Sequence, residues 1–68
     1  MTNDIQIVGT YRSEIAARRG REALAAGMNG WYDPLEDTYL IGDIGKGKRL
    51  IIRKVEGKYA YQVICEPY

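Results

Sequence analysis

The chain has no histidine and a single cysteine among its 68 residues. Without histidine, neither a Ser-His nor a Cys-His nucleophile pair can be assembled. Cys65 has no partner for an internal disulfide, and the strand alternation places it on the face expected to be buried, where a thiol is inert. No apolar run approaches the roughly 20 residues that cross a bilayer. No charged leader precedes an apolar stretch as in an export signal, so the expectation is a cytoplasmic protein without a membrane partner. Metal binding would fall to carboxylates, and Asp33, Glu36 and Asp37 lack the alternating oxygen ligands and glycine placement of a calcium loop. The segment from Gly42 to Lys48 lacks the spacing of a phosphate-cradling loop and is followed by a strand where such a loop needs a helix. The expectation is therefore a non-enzymatic protein with no cofactor, no metal and no catalytic residue.

What the chain does carry is sorted charge. Its 10 basic and 9 acidic residues leave a formal net charge of +1, yet they fall in blocks. Arg12, Arg18, Arg19 and Arg21 form a basic stretch, Asp33, Glu36, Asp37 and Asp43 an acidic one, and Lys46, Lys48, Arg49, Arg53, Lys54 and Lys58 a second basic one. Charge sorted in this way orients partners more than it builds a core, and so it points to binding. Sixty-eight residues make one domain, stable by about 3 to 10 kcal/mol at the usual per-residue value. An apolar fraction of 46% and a charged fraction of 28% argue for a folded chain and against disorder.

Period-two alternation predicts a strand from Asp4 to Tyr11, with Ile5, Ile7, Gly9 and Tyr11 facing one way and Gln6, Val8 and Thr10 the other. Ser13 is placed to cap a helix from Glu14 to Ala26, with Glu14 at its positive end and Gly27 as its stop. Ala16, Gly20, Ala23, Leu24 and Gly27, flanked by Ile15, give an inward stripe of small residues that allows close approach to a sheet. Met28 to Asp37 shows no period and reads as a loop in which Trp31 and Tyr32 serve as local anchors. Thr38 to Ile44 reads as a strand closed by a turn at Gly45 to Gly47. Lys48–Val55 and Lys58–Cys65 read as a hairpin about Glu56 and Gly57.

The expected fold is α+β over residues 1–68, one helix packed on a four-stranded, largely antiparallel sheet in the order β-α-β-β-β. Pairing Val55 with Lys58 puts Leu50, Ile52, Tyr59, Tyr61, Val63 and Cys65 under the helix. Arg49, Ile51, Arg53, Val55, Ala60, Gln62 and Ile64 then fall on the opposite face. There Ile51, Val55 and Ile64 are expected in the open between arginines, in the manner of an interface.

Two partner classes follow. Separate patches of both signs, with arginines and aromatic residues, suit a protein or nucleoprotein complex, contacted through Arg18, Arg21, Arg49, Arg53, Asp33, Glu36 and Asp37. Basic residues interleaved with six tyrosines and one tryptophan also suit direct nucleic-acid binding, although a charge of +1 is low for affinity driven by counterion release. A homodimer, basic hairpin to acidic loop, is a third reading. In size, layout and lack of catalytic groups the chain resembles small bacteriophage inhibitors of the anti-CRISPR type, the likeness lying in Ile5 to Tyr11, Ser13 to Gly27 and Lys48 to Cys65. That resemblance implies a stoichiometric blocker of a host protein or nucleoprotein complex. The acidic segment Asp33 to Asp43 would imitate phosphate, or the arginine helix would occupy an acidic groove.

Overall fold

A computed structural model describes residues 5–42 and 47–67. In chain order they form β1 (Gln6–Tyr11), α1 (Glu14–Gly27), β2 (Trp31–Asp33), β3 (Thr38–Ile41), β4 (Lys48–Lys54) and β5 (Tyr61–Pro67). The strands make one sheet in the order β1-β5-β4-β3-β2, every neighbouring pair antiparallel. The helix lies across one face, so the α+β layout expected from the sequence is the observed one, with five strands rather than four. The expected strand start at Asp4, the strand end at Ile44, the turn about Gly45 and the charges of Asp43 and Lys46 lie outside the described residues.

Both ends of α1 are closed by local chemistry. Ser13, extended at φ −137° and ψ 159°, accepts the Ala16 N–H through Oγ at 3.2 Å, and Glu14 sits in the first turn, where the helix dipole favours negative charge. The C-terminal stop is two residues beyond Gly27. Asn29 takes φ 56°, Gly30 N–H donates to the Ala25 carbonyl at 2.7 Å, and Asn29 N–H donates to that of Ala26 at 3.3 Å. This is the paired closure that a left-handed residue makes possible, and asparagine tolerates that conformation almost as glycine does.

The inward stripe of α1 is Ala17, Arg21 and Ala25, flanked by half-buried Ala16, Gly20 and Leu24. The expected stripe is therefore rotated by about one residue. Ala23 and Gly27 are exposed, and Ile15 is 65% exposed. The rotation follows from what the helix must receive from the sheet. A Cβ at Gly20 would lie 2.1 Å from Tyr11 Oη and 2.4 Å from Cζ, so the Tyr11 ring rests directly on the helix backbone where only glycine leaves room. One position further on, Arg21 turns inward.

β4 and β5 pair Leu50 with Cys65, Ile52 with Val63 and Lys54 with Tyr61, a register two residues away from the expected one. The connection is longer than two residues, runs through Gly57 at φ 117° and is closed by Val55 N–H on the Ala60 carbonyl at 2.7 Å. Glu-Gly does not favour the tight hairpin turns that Asn-Gly does. A shift of two preserves facing, so Leu50, Ile52, Tyr61, Val63 and Cys65 still meet the helix. Only Tyr59 leaves the core, 49% exposed beneath the Arg12 guanidinium at 5.2 Å from its ring centroid.

In β1 the expected alternation breaks at Val8. Ile7 pairs with Ile64 and Gly9 with Val63, leaving Val8 as the extra residue of a bulge. Ile7 thus goes to the face away from the helix, while Val8 and Tyr11 pack on the core. The expected loop from Met28 to Asp37 contains β2, which pairs Trp31 with Leu40 and Asp33 with Thr38. Three residues are too few to show a period. Its turn is built by Asp33, whose Oδ1 accepts the Leu35 N–H at 3.0 Å, and by Asp37 at φ 53°.

Leu50 and Val63 are fully buried against Ala17, Ala25 and Cys65. Leu50→Ala is expected to cost about 2 to 5 kcal/mol, a large share of the fold's stability, while Ile15→Ala stays within about 0.5 kcal/mol. Urea unfolding at unchanged m-value measures both. Gly20→Ala is expected to destabilise by about 1 to 3 kcal/mol despite alanine's better helix propensity, because the Tyr11 ring must move; a stabilised Gly20→Ala variant would contradict this packing.

Candidate functional site

Three features gather polar or exposed apolar side chains: a clasp between α1 and the β2–β3 turn, the sheet face opposite the helix, and a cleft at one end of the sheet. The clasp centres on Asp37. Its Oδ1 accepts Arg21 Nη2 at 2.9 Å and Tyr32 Oη at 2.8 Å, its Oδ2 accepts Arg18 Nη2 at 3.2 Å, and its backbone carbonyl accepts Arg21 Nη1 at 2.8 Å. The Arg21 guanidinium lies 5.2 Å from the Tyr39 ring centroid and 6.0 Å from that of Tyr32, and the two rings are 5.0 Å apart. Arg21 is only 2% exposed, a position an always-charged guanidinium occupies only with hydrogen-bond partners and aromatic faces around it. Its Nε, also buried, has no partner among the described residues, so desolvation offsets part of what the pairing contributes.

The hydrogen bonds from Arg21 and Tyr32 draw the Asp37 carboxyl from 3.8 down to about 2. The same carboxylate, by accepting the Tyr32 hydroxyl, raises the phenol above its ordinary value. It also raises Arg18, which donates to Asp37 and to Glu14. This is the chemistry of a structural tie, since three donors from the helix and β2 converge on one carboxylate.

On the opposite sheet face the cross-strand pairs form rows. Trp31, Leu40, Arg49 and Glu66 make one, Ile51, Ile64 and Ile7 a second, and Arg53, Gln62 and Thr10 a third. Leu40 and Ile64 form a buried floor at 5% and 3% exposure, with Ile51 half-buried. Trp31 and Ile7 stand at opposite edges, 52% and 54% exposed. Arg49 is ion-paired with Glu66, and Arg53 donates to Gln62 Oε1 at 2.6 Å. The expectation that Ile64 is exposed between arginines is corrected. Ile64 is buried, and Val55 is half-buried.

The cleft, about 390 Å³, is lined by Glu14, Arg18, Asp37, Ile52, Lys54 and Tyr61. It opens where β4 runs on past the end of β3, and both signs of charge meet in it. Among the described residues no three His, Cys, Asp or Glu side chains gather as metal ligands would, and no helix is long and apolar enough to cross a membrane. Set against family models, curated proteins and solved structures, the chain matches none.

The residues singled out in the sequence divide among these places. Arg18, Arg21 and Asp37 come together in the clasp, and Arg21, being buried, does not present a surface contact. Asp33 is half-buried and spends Oδ1 on its own turn, while Glu36 is exposed. Arg49 and Arg53 share the open sheet face, each with a neighbour on β5. Of the expected basic and acidic patches, Arg18, Arg21, Arg49 and Asp37 are held in internal ion pairs. Tyr32, 43% exposed, is tied to Asp37 by its hydroxyl, whereas Trp31, 52% exposed, pairs with Leu40 at the sheet edge. Trp31 and Ile7 are the exposed residues that sequence reasoning misassigned, and tryptophan's frequency at binding hot spots was the available signal.

Because the unfolded chain takes up the proton near pH 3.8 and the folded chain near pH 2, the stabilisation from Asp37 is present above about pH 5 and lost as pH falls through about 2. With the carboxylate side chain 47% exposed, its size is on the order of 1 kcal/mol after solvent screening. Asp37→Asn, which keeps the left-handed backbone, is expected to flatten stability between about pH 4 and 2; an unchanged pH profile would show that the clasp does not hold the fold.

Proposed function

We propose that this is a non-enzymatic protein-binding module, an inhibitor or adaptor in the manner of the small phage proteins its layout resembles, and that it meets its partner with the sheet face opposite the helix. The observation that carries this reading is the pairing of half-exposed Trp31 and Ile7 with a buried Leu40 and Ile64 floor, bordered by Arg49, Glu66, Arg53 and Gln62. Tryptophan and arginine are enriched at protein interfaces, and here a half-exposed tryptophan at one edge, an exposed isoleucine at the other and paired arginines on the central strand share one face. The absence of histidine and the burial of Cys65 support a role without catalysis.

The intramolecular partners of Arg49 and Arg53 bear on how the face is used. Arg49 and Glu66 present both charges side by side, which favours a partner surface of mixed sign and fixes its orientation more than its affinity. The same pairing disfavours nucleic acid, since a carboxylate next to the arginine repels phosphate.

Affinity capture from host extract, followed by titration of the purified captured protein, tests the reading. Trp31→Ala is expected to weaken that binding at least about tenfold, and Arg53→Ala several-fold, with thermal unfolding almost unchanged. Oligonucleotides, single- or double-stranded, are expected not to bind at physiological salt. Tight, steeply salt-dependent oligonucleotide binding, or protein capture indifferent to Trp31, would contradict it.

A further inference from the structure

The antiparallel order makes β1, β2 and β4 run in the same direction, so the residues that follow them lie at one end of the sheet. There the β2–β3 turn and the β4–β5 turn flank the cleft that Asp37 and Lys54 both line. The two turns are opposite in charge. From Asp33 to Asp37 the chain has no basic residue and, with Asp37 taken by Arg18 and Arg21, keeps Asp33 and Glu36 free of ion pairs among the described residues; at its tip Leu35 is 93% exposed beside exposed Glu36. From Lys54 to Tyr59 it has Lys54 and Lys58 against Glu56, with Arg12 stacked on Tyr59, itself 49% exposed. Glu36, Lys54 and Lys58 form no ion pair with the described residues.

We propose that this end is a self-association surface, in which the acidic Leu35 turn of one protomer seats against the basic Tyr59 turn of its partner. Each end holds both halves of the contact, so a two-fold axis perpendicular to the strands satisfies them twice, as closed symmetric dimers require. A second copy supplies the complementary charge and the complementary apolar group by construction, whereas any other partner would have to reproduce both. The net charge of +1 leaves little long-range repulsion between copies. A standard specific interface takes about 800 Å² from each partner, and two short turns on a molecule exposing 4893 Å² in all make a smaller contact than that. The association is therefore weak to moderate and salt-sensitive. It does not rest on the proposed partner-binding face, which lies elsewhere on the sheet, and losing it leaves Trp31-dependent capture intact.

Sedimentation velocity on the wild-type chain from a few micromolar to about 1 mM tests this, in about 20 mM and about 500 mM sodium chloride. Dimers are expected at low salt, with the dissociation constant raised roughly tenfold at high salt. Glu36→Lys and Lys58→Glu are each expected to be monomeric and to melt like the wild type, because both sites are exposed. Mixed in equal amounts they are expected to dimerise again, since both contacts then join opposite charges. A wild-type chain that stays monomeric at the highest concentration, dimers that survive both reversals, or a mixture that stays monomeric would each overturn the proposal.

Discussion

One buried guanidinium organises this small fold. Arg21 cannot shed its charge at any ordinary pH, so placing it on the inward stripe of the helix obliges the rest of the chain to bring it partners. Asp37 meets it with both a carboxylate oxygen and a backbone carbonyl, Tyr39 and Tyr32 supply aromatic faces, and Tyr32 donates its hydroxyl to the same carboxylate. Helix and hairpin are thereby tied across a sequence separation of 16 residues. Such pairs are poor sources of net stability and are best attested as devices that fix register. Here the register is that of the helix about its own axis, and with it the seat of the Tyr11 ring on Gly20.

Burying the helix on Leu50, Val63 and Cys65 consigns the alternate residues to the other face. Trp31, Ile7, Arg49 and Arg53 stand there because of strand parity and the bulge at Val8, not because of local hydrophobicity. The charges follow the same logic. Arg18 and Arg21 of the first basic block meet Asp37 of the acidic one, Arg18 also meets Glu14, and Arg49 of the second basic block meets Glu66. The carboxylates and ammonium groups left without such pairs in the β2–β3 and β4–β5 turns lie at one end of the sheet, which is what gives that end two signs.

Much of the fold was legible in the sequence. The Ser13 cap, the helix from Glu14, the α+β layout and the facing of Leu50, Ile52, Tyr61, Val63 and Cys65 all follow from local patterns. The facing survived a register error because a slip of two residues leaves every side chain on its own side. The site was less legible. No periodicity marks an arginine as inward when its partner lies in a turn far along the chain, a three-residue strand has no measurable alternation, and a bulge reverses facing without a distinctive residue. Trp31 and Ile7 were misassigned for those last two reasons, and Arg21 for the first.

The coupling free energy between Arg21 and Asp37, from a double-mutant cycle of Arg21→Met and Asp37→Asn followed by urea unfolding, bears most directly on the organising role of the clasp. A coupling of about 1 to 3 kcal/mol is expected for groups in direct contact within one network. Additive losses, with coupling indistinguishable from zero, would show that the guanidinium and the carboxylate do not hold helix and hairpin together.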